Sequence, residues 1–329
     1  MDIDEESVLN SIRDLIAWSS KLNTLLYLEL VFKPFNDYTY LHISGEKDSM
    51  YIPVYRVRGE PYIPISSIYG ALRHIAEAVA RSSLNSVSND IEKMFIDMHC
   101  KQKDGGLRHI CSNNFDYLKT IHELIRTLFE KGRDIERYFV TQDTKAEIFV
   151  VIDKALQIKN IEAIPSSVEP LLSFLCPICR LFGGLGMKSM ITLLDVKIVP
   201  EAVTTQTQTS INRSLGIAHT GYLYSTEYIA LNELKLKIIV RNIKINSIES
   251  KILKALLTYL KDIGISIGGR KTLGLGRLKV DPDKSTGIYI NLNTINNREE
   301  LIKTIIAPET LTKQHLTSII NMLDTSDHQ

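Results

Sequence analysis

Four cysteines, Cys100, Cys111, Cys176 and Cys179, are the residues of this chain with the most specific chemistry, because the second pair has the CxxC spacing Cys176-Pro-Ile-Cys179. Zinc takes four soft or borderline ligands in a tetrahedron, and a CxxC turn supplies two thiolates from one tight loop. The first pair is looser, separated by a stretch of Lys, Asp, Gly and His, and His99 and His109 beside it could each replace a cysteine. Four protein ligands close the shell and leave no place for water, so the zinc would be structural rather than catalytic. A disulfide framework is not expected, since the N-terminus Met1-Asp-Ile-Asp-Glu-Glu6 is no secretion signal. Simple burial of four thiols is the alternative to metal.

A second cluster is rich in glycine and cations: Gly264-Ile-Ser-Ile-Gly-Gly-Arg-Lys-Thr-Leu-Gly-Leu-Gly-Arg277. Glycines Gly268, Gly269, Gly274 and Gly276 let backbone N–H groups approach a phosphate, and Arg270, Lys271 and Arg277 add charge to the same surface. The Gly-Lys-Ser/Thr ending of a Walker loop is missing. From Arg241 to Val280 nine Lys and Arg face only Glu249 and Asp262. A glycine-rich helix cap followed by a hairpin, or a solvated basic face, would give the same pattern. The coincidence of the two favours contact with an RNA backbone. Ser66 and Ser67 begin a capped helix whose free N–H groups and dipole also suit a phosphate, with Arg73 two turns further on.

These residues need elements to position them. An acidic-start helix is predicted over 4–22, with Leu9, Ile12, Ile16 and Leu22 at helical spacing. Extended chain follows at Leu25–Phe32 and Tyr51–Val57, then the helix from Ser66 or Ser67 to about Ser83. Helical patterns recur around 115–131 and 167–175. Strands are predicted at Ile191–Val199, Tyr228–Val240 and Leu273–Val280, with a helix at Ser247–Ile263. The polar segment Thr204–Ser225 has no core periodicity, and the tail from Glu299 to Leu323 reads as helix broken at Pro308. Strand, helix, strand, repeated, is the order of an α+β, ferredoxin-like (RRM-like) sheet. The expected division is an N-terminal helix at 1–23, a core at 24–84 and 185–290, a helical zinc-binding insertion at 85–184, and a helical tail at 291–329.

The chain has 329 residues, 44% of them hydrophobic, which suits an ordinary globular protein and argues against disorder. Its formal net charge of +1 neither favours nor excludes nucleic acid, because a binding groove needs local charge. No run of about 18 apolar residues is present, so a membrane is not an expected partner and the cytoplasm is the expected location.

Three motifs, Pro61-Tyr-Ile-Pro-Ile-Ser-Ser-Ile-Tyr-Gly-Ala-Leu-Arg73, Cys179-Arg-Leu-Phe-Gly183 and the C-terminal glycine loop, resemble in order the RAMP family of CRISPR-associated proteins. They look most like the backbone type of subunit in type III effector complexes, and Ile211-Asn-Arg-Ser-Leu-Gly-Ile-Ala-His219 is similar to the family's stretch around the thumb. The resemblance implies an RRM-like core and copies or paralogues stacked along a guide RNA (crRNA) in a filament-like complex. Such subunits hold the guide for pairing with target RNA in antiviral defence. It carries the guide path onto Ser66, Ser67 and Arg73 with Gly268, Gly269, Arg270 and Lys271, and implies a thumb hairpin at about 200–226 that includes Arg213. Gly274, Gly276 and Arg277 belong to the same loop. Backbone contacts of this kind are blind to sequence.

Ile65 stands where the family usually has glycine, and Tyr69 where it often has lysine. In relatives that cut target RNA an aspartate lies before the first motif; counting back, its place falls on Tyr51, and Asp48, three residues away, becomes the candidate catalytic acid, with Mg as cofactor if the target is cleaved. Two other functions compete. One is a RAMP-type endoribonuclease acting on guide precursor with His42 or His219 as base. The other is a capping or assembly subunit that makes mainly protein contacts through its terminal helices.

Overall fold

The computed structural model describes residues 5–44, 50–83, 115–132, 134, 169–211 and 214–324. Nine strands form one sheet: β1 (Thr24–Pro34), β2 (Thr39–Leu41), β3 (Tyr51–Ile52), β6 (Ile191–Ile211), β7 (Ala218–Arg241), β8 (Ile265–Ser266), β9 (Arg277–Val280), β10 (Thr286–Asn291) and β11 (Gln314–His315). A separate small hairpin pairs β4 (Arg56–Val57) with β5 (Glu60–Pro61). The helices are α1 (Glu5–Ser19), α2 (Ile65–Ser83), α3 (Phe115–Lys131), α4 (Glu169–Leu175), α5 (Pro177–Phe182), α6 (Ile248–Asp262), α7 (Arg298–Ile306) and α8 (Leu316–Met322).

Strand β1 is the centre. It pairs antiparallel with the second half of β7 on one side, Leu25 opposite Arg241 through Phe32 opposite Leu234, and with β10 and then β9 on the other. The outer side of β7 is taken by β6, so the path β9–β1–β7–β6 is antiparallel throughout. Side chains alternate across a strand, so β1 sorts its residues onto two faces. Leu26, Leu28, Leu30 and Phe32 join Leu234, Leu236, Ile238 and Val240 in a core with Ile68 and Leu72 of α2 and Ile252, Leu256 and Leu260 of α6. Each such side chain, fully buried, contributes roughly 1.5–3 kcal/mol relative to exposure. The opposite face carries Leu25 and Tyr27 with Ile239 and Ile290, and there Leu301 and Ile305 of α7 and Leu311 pack over it. Tail and sheet are also tied by charge, since Lys313 Nζ lies 2.8 Å from Glu29, which accepts the Tyr27 hydroxyl at 2.6 Å. That end of the sheet face is therefore closed by protein, unlike an open RNA-binding sheet.

Most expected elements are present, with instructive differences. Tyr51–Val57 is not one strand: Pro53 has no N–H to give, and the Val54 amide goes to the Glu227 carboxylate at 3.0 Å. Arg58 (φ 52°) and Gly59 (φ 84°) then turn the chain into the β4–β5 hairpin. The polar segment between the two predicted strands is instead their continuation, so β6 and β7 form one hairpin of 21 and 24 residues. Its Thr-Gln alternation lacked an apolar period because Thr205, Gln206, Thr207 and Thr209 all meet solvent. The strand expected from Leu273 begins only at Arg277, because Lys271–Leu273 form a 3-10 turn.

Candidate nucleic-acid interface

The glycine loop is built around two carbonyls, one in β2 and one just after it. Gly269 donates its N–H to His42 O at 2.7 Å and Gly276 donates to Tyr40 O at 2.8 Å. Gly268 has φ 84°, and a Cβ there would stand 2.5 Å from His42 O; a Cβ on Gly276, φ 66°, would stand 2.0 Å from Ile267 O. Only glycine fits either place. Gly274 caps the 3-10 turn by giving its N–H to Lys271 O at 3.0 Å. Three of the amides that the sequence offers to a phosphate are thus given to carbonyls of the chain. The side chains of Lys271 and Arg277 stay exposed.

Beside the loop runs a strip of aromatic rings that sequence reasoning missed. Phe35 follows β1 and is 40% exposed, with the Arg277 guanidinium 4.5 Å and the Lys279 ammonium 5.3 Å from its ring centre. Tyr38 and Tyr40, 50% and 37% exposed, meet edge to face at 5.4 Å. Tyr40 packs against the buried ring of Tyr228 of β7 at 6.2 Å, and Arg270 lies over both Tyr228 and the half-buried Tyr224. Exposed rings interleaved with guanidinium and ammonium groups suit single-stranded RNA, whose bases stack on aromatic faces while cations meet the phosphates. The signal was available: Phe35-Asn-Asp-Tyr38-Thr-Tyr40 puts three rings in six residues directly after a strand, and Tyr224 and Tyr228 share the period of one strand face.

The family model described as "RAMPs: RAMP superfamily" matches residues 39–279, which includes the glycine loop and Tyr40, Tyr224 and Tyr228 of the strip, while Phe35 and Tyr38 lie just before it. The chain belongs to the RAMP superfamily. Among solved structures, one similar chain comes from "Cryo-EM structure of the Type III-B Cmr-beta bound to cognate target RNA", at 13% identity and a TM-score of 0.36, covering 77% of this chain and 96% of that one. No curated protein matches by sequence.

In this RAMP protein the side chains of the other two motifs bond to each other, and α2 also packs against β8 at the start of the glycine segment. Ser66 is exposed at the start of α2, and the Ser67 amide goes to Pro64 O at 2.9 Å. Arg73 points at the end of α5, donating to Gly183 O at 2.9 Å, to Glu77 at 3.1 Å and to Cys179 Sγ at 3.6 Å. Tyr69, in the place where relatives often have lysine, donates its hydroxyl to Phe182 O at 2.9 Å. Free carbonyls at a helix end need such donors. Arg180 is buried with Glu249 of α6 as an ion pair and donates to Phe174 O and Leu175 O, both at 3.0 Å. Burial acts to raise the Glu249 carboxyl, but Arg180, the local backbone and the Ser247 hydroxyl pull it below its ordinary value. Arg73 and Arg270 therefore serve different partners, and the single cradle expected from the sequence divides into an exposed strip and a buried joint. Arg213 lies outside the described residues.

Cys176 and Cys179 are fully buried at the start of α5, and burial, with Cys179 beside it, pushes the Cys176 thiol up. Two thiols on one turn supply half of a tetrahedral shell. Cys100, Cys111, His99 and His109 lie outside the described residues, and among the described residues no group of three or more metal-ligating side chains occurs. Asp48 is likewise outside them. Tyr51 sits beside Glu227, whose carboxylate accepts from Arg56 at 3.2 Å. His42 is buried, its Nδ1 2.8 Å from Glu227 O and its Nε2 3.0 Å from Ser44 Oγ. No described helix is long and apolar enough to cross a membrane. A concavity of about 880 Å³ lies between α1 and the turn before α6, with Trp18, Lys188, Arg241 and Lys244 among its lining residues.

Proposed function

We propose that this RAMP protein is an RNA-binding subunit of a type III CRISPR effector complex. It holds the guide RNA without regard to sequence and helps present it for target pairing in antiviral defence. The observation that carries the proposal is the strip: Phe35, Tyr38 and Tyr40 exposed, with Arg277 and Lys279 over the Phe35 ring and Lys271 exposed on the same glycine loop. Rings accept any base and cations accept any phosphate, so a surface of this kind can serve many guides. The antiparallel path β9–β1–β7–β6 with α2 and α6 on one face supports a ferredoxin-like core. The β6–β7 hairpin supports the thumb assigned by resemblance. The nuclease alternative loses support at His42, where both ring nitrogens already have partners.

Short unstructured RNAs of unrelated sequence test the proposal by fluorescence anisotropy. Their affinities should agree within a few-fold and fall steeply between about 50 and 200 mM salt, with a log–log slope near −0.7 per phosphate neutralised. A flat salt response would favour the capping or assembly subunit instead.

Structural zinc on Cys176, Cys179, Cys100 and Cys111 forms part of the same proposal. Metal analysis of the purified chain should find about one zinc per molecule. A content well below that, or a fold indifferent to chelation, sinks it.

A further inference from the structure

Arg270 is the one cation of the glycine loop whose side chain is fully engaged by another element. Its backbone is left-handed, φ 55° and ψ 34°, a conformation that an L-residue keeps only where its surroundings impose it. Its guanidinium donates to Gln208 on β6, to the Tyr228 hydroxyl at 2.8 Å and to Thr226 Oγ1 at 3.2 Å. It also lies over the rings of Tyr224 and Tyr228, at 5.7 and 5.9 Å from their centres. All of these partners belong to the β6–β7 hairpin. The loop that bears Arg270 is meanwhile fastened to the β2 side by Gly269 N–H to His42 O and Gly276 N–H to Tyr40 O. Strand β2 pairs with β7 at Ile229–Leu231 and β3 pairs with it at Ser225 and Thr226, so Arg270 adds to that backbone pairing a side-chain bridge with one end on the glycine loop and the other on the hairpin.

We propose that Arg270 is a positioning residue rather than a phosphate ligand: it locks the hairpin against the glycine loop and so holds the half-buried Tyr224 and the buried Tyr228, against which Tyr40 packs, in place before RNA arrives. The lock stands on its own geometry; only its consequence for affinity rests on the RNA-binding proposal above. A planar fork suits this task, because it meets Gln208 and Tyr228 from one nitrogen and Thr226 from another, whereas an ammonium has its three donors on a single atom. A phosphate could take the guanidinium only by displacing those partners, whereas Lys271 next to it is exposed and has no such competition.

Two readouts separate a lock from a ligand. Glycine accepts the left-handed backbone, so Arg270→Gly removes the side chain without straining the loop; Arg270→Lys keeps the charge and loses the fork; Gln208→Ala removes one partner from the hairpin side. Hydrogen exchange of full-length protein without RNA should quicken at least several-fold across 222–230 in Arg270→Gly and Arg270→Lys, and less in Gln208→Ala. With RNA, the two Arg270 variants should both bind more weakly while keeping the wild-type salt slope. Lys271→Ala should shallow the slope by about 0.7. Unchanged hairpin exchange in Arg270→Gly overturns the lock, whatever the protein binds. Full affinity in Arg270→Lys together with a slope shallower by about 0.7 in Arg270→Gly makes Arg270 a phosphate ligand and also overturns it. If the wild type binds no RNA, the functional proposal fails while the exchange measurement still decides the lock.

Discussion

Two regions of this molecule are written in the same residue types. At the joint between α2, α5 and α6, Arg73 and Arg180 are surrounded by carbonyls and carboxylates of the chain itself, and the Arg180–Glu249 pair is buried. On the strip, Arg277 lies over an exposed ring and Lys271 faces solvent. Arginine beside glycine in a motif does not distinguish the two uses. What does distinguish them is whether the donors are already satisfied, because a satisfied buried guanidinium organises a fold and an unsatisfied exposed one is available to a phosphate.

Breaking the joint should give the largest effect. Glu249→Ala leaves Arg180 buried without its counter-charge and should cost about 3–5 kcal/mol of stability, read from urea denaturation, while Arg180→Met with Glu249→Leu should recover only part of it, because Phe174 O and Leu175 O lose their donor. The pair also sets a pH dependence. Because the Glu249 carboxyl titrates below its ordinary value, its contribution is fully present above the unfolded value of about 4.3 and is lost as pH falls through the lower folded value. Between those limits the unfolded chain binds more protons, so stability should climb with pH in the wild type and climb less in Glu249→Gln. Arg73→Ala should cost about 1.5–3 kcal/mol per lost charged hydrogen bond and leave the salt slope of RNA binding unchanged.

The strip should behave in the opposite way. Phe35→Ala and Tyr40→Ala should each weaken RNA binding by about 1–3 kcal/mol in anisotropy titrations, with little loss of stability because both rings are already substantially exposed. Arg277→Ala should have the smallest effect on affinity at moderate salt, and its mark should be a slope shallower by about 0.7. A stability loss from Phe35→Ala as large as that from Glu249→Ala would erase the distinction between the two regions.

How much of this was legible in the sequence depended on whether a signal is local. The helices at 115–131 and 247–263 and the long strand from Leu25 carry apolar periods, so they could be read directly. The capping of α5 by Tyr69 and Arg73 spans 113 and 110 residues of sequence, and no local pattern reports it. The hairpin's outer half was hidden because both faces are polar, which removes the alternation that marks a half-buried strand. The strip was hidden differently: Phe35, Tyr38 and Tyr40 come from one segment, Tyr224 and Tyr228 from another, and only the sheet brings them side by side. The glycines were noticed correctly as special positions, but their cause is close approach to His42 O and Ile267 O.

Ultraviolet cross-linking of the full chain to a short single-stranded RNA, with the joined peptides located by mass spectrometry, tests the central claim most directly. Cross-links should concentrate on Phe35, Tyr38 and Tyr40 and on the glycine loop around Lys271. Cross-links confined to Ser66–Arg73, with none between Phe35 and Tyr40, would contradict it.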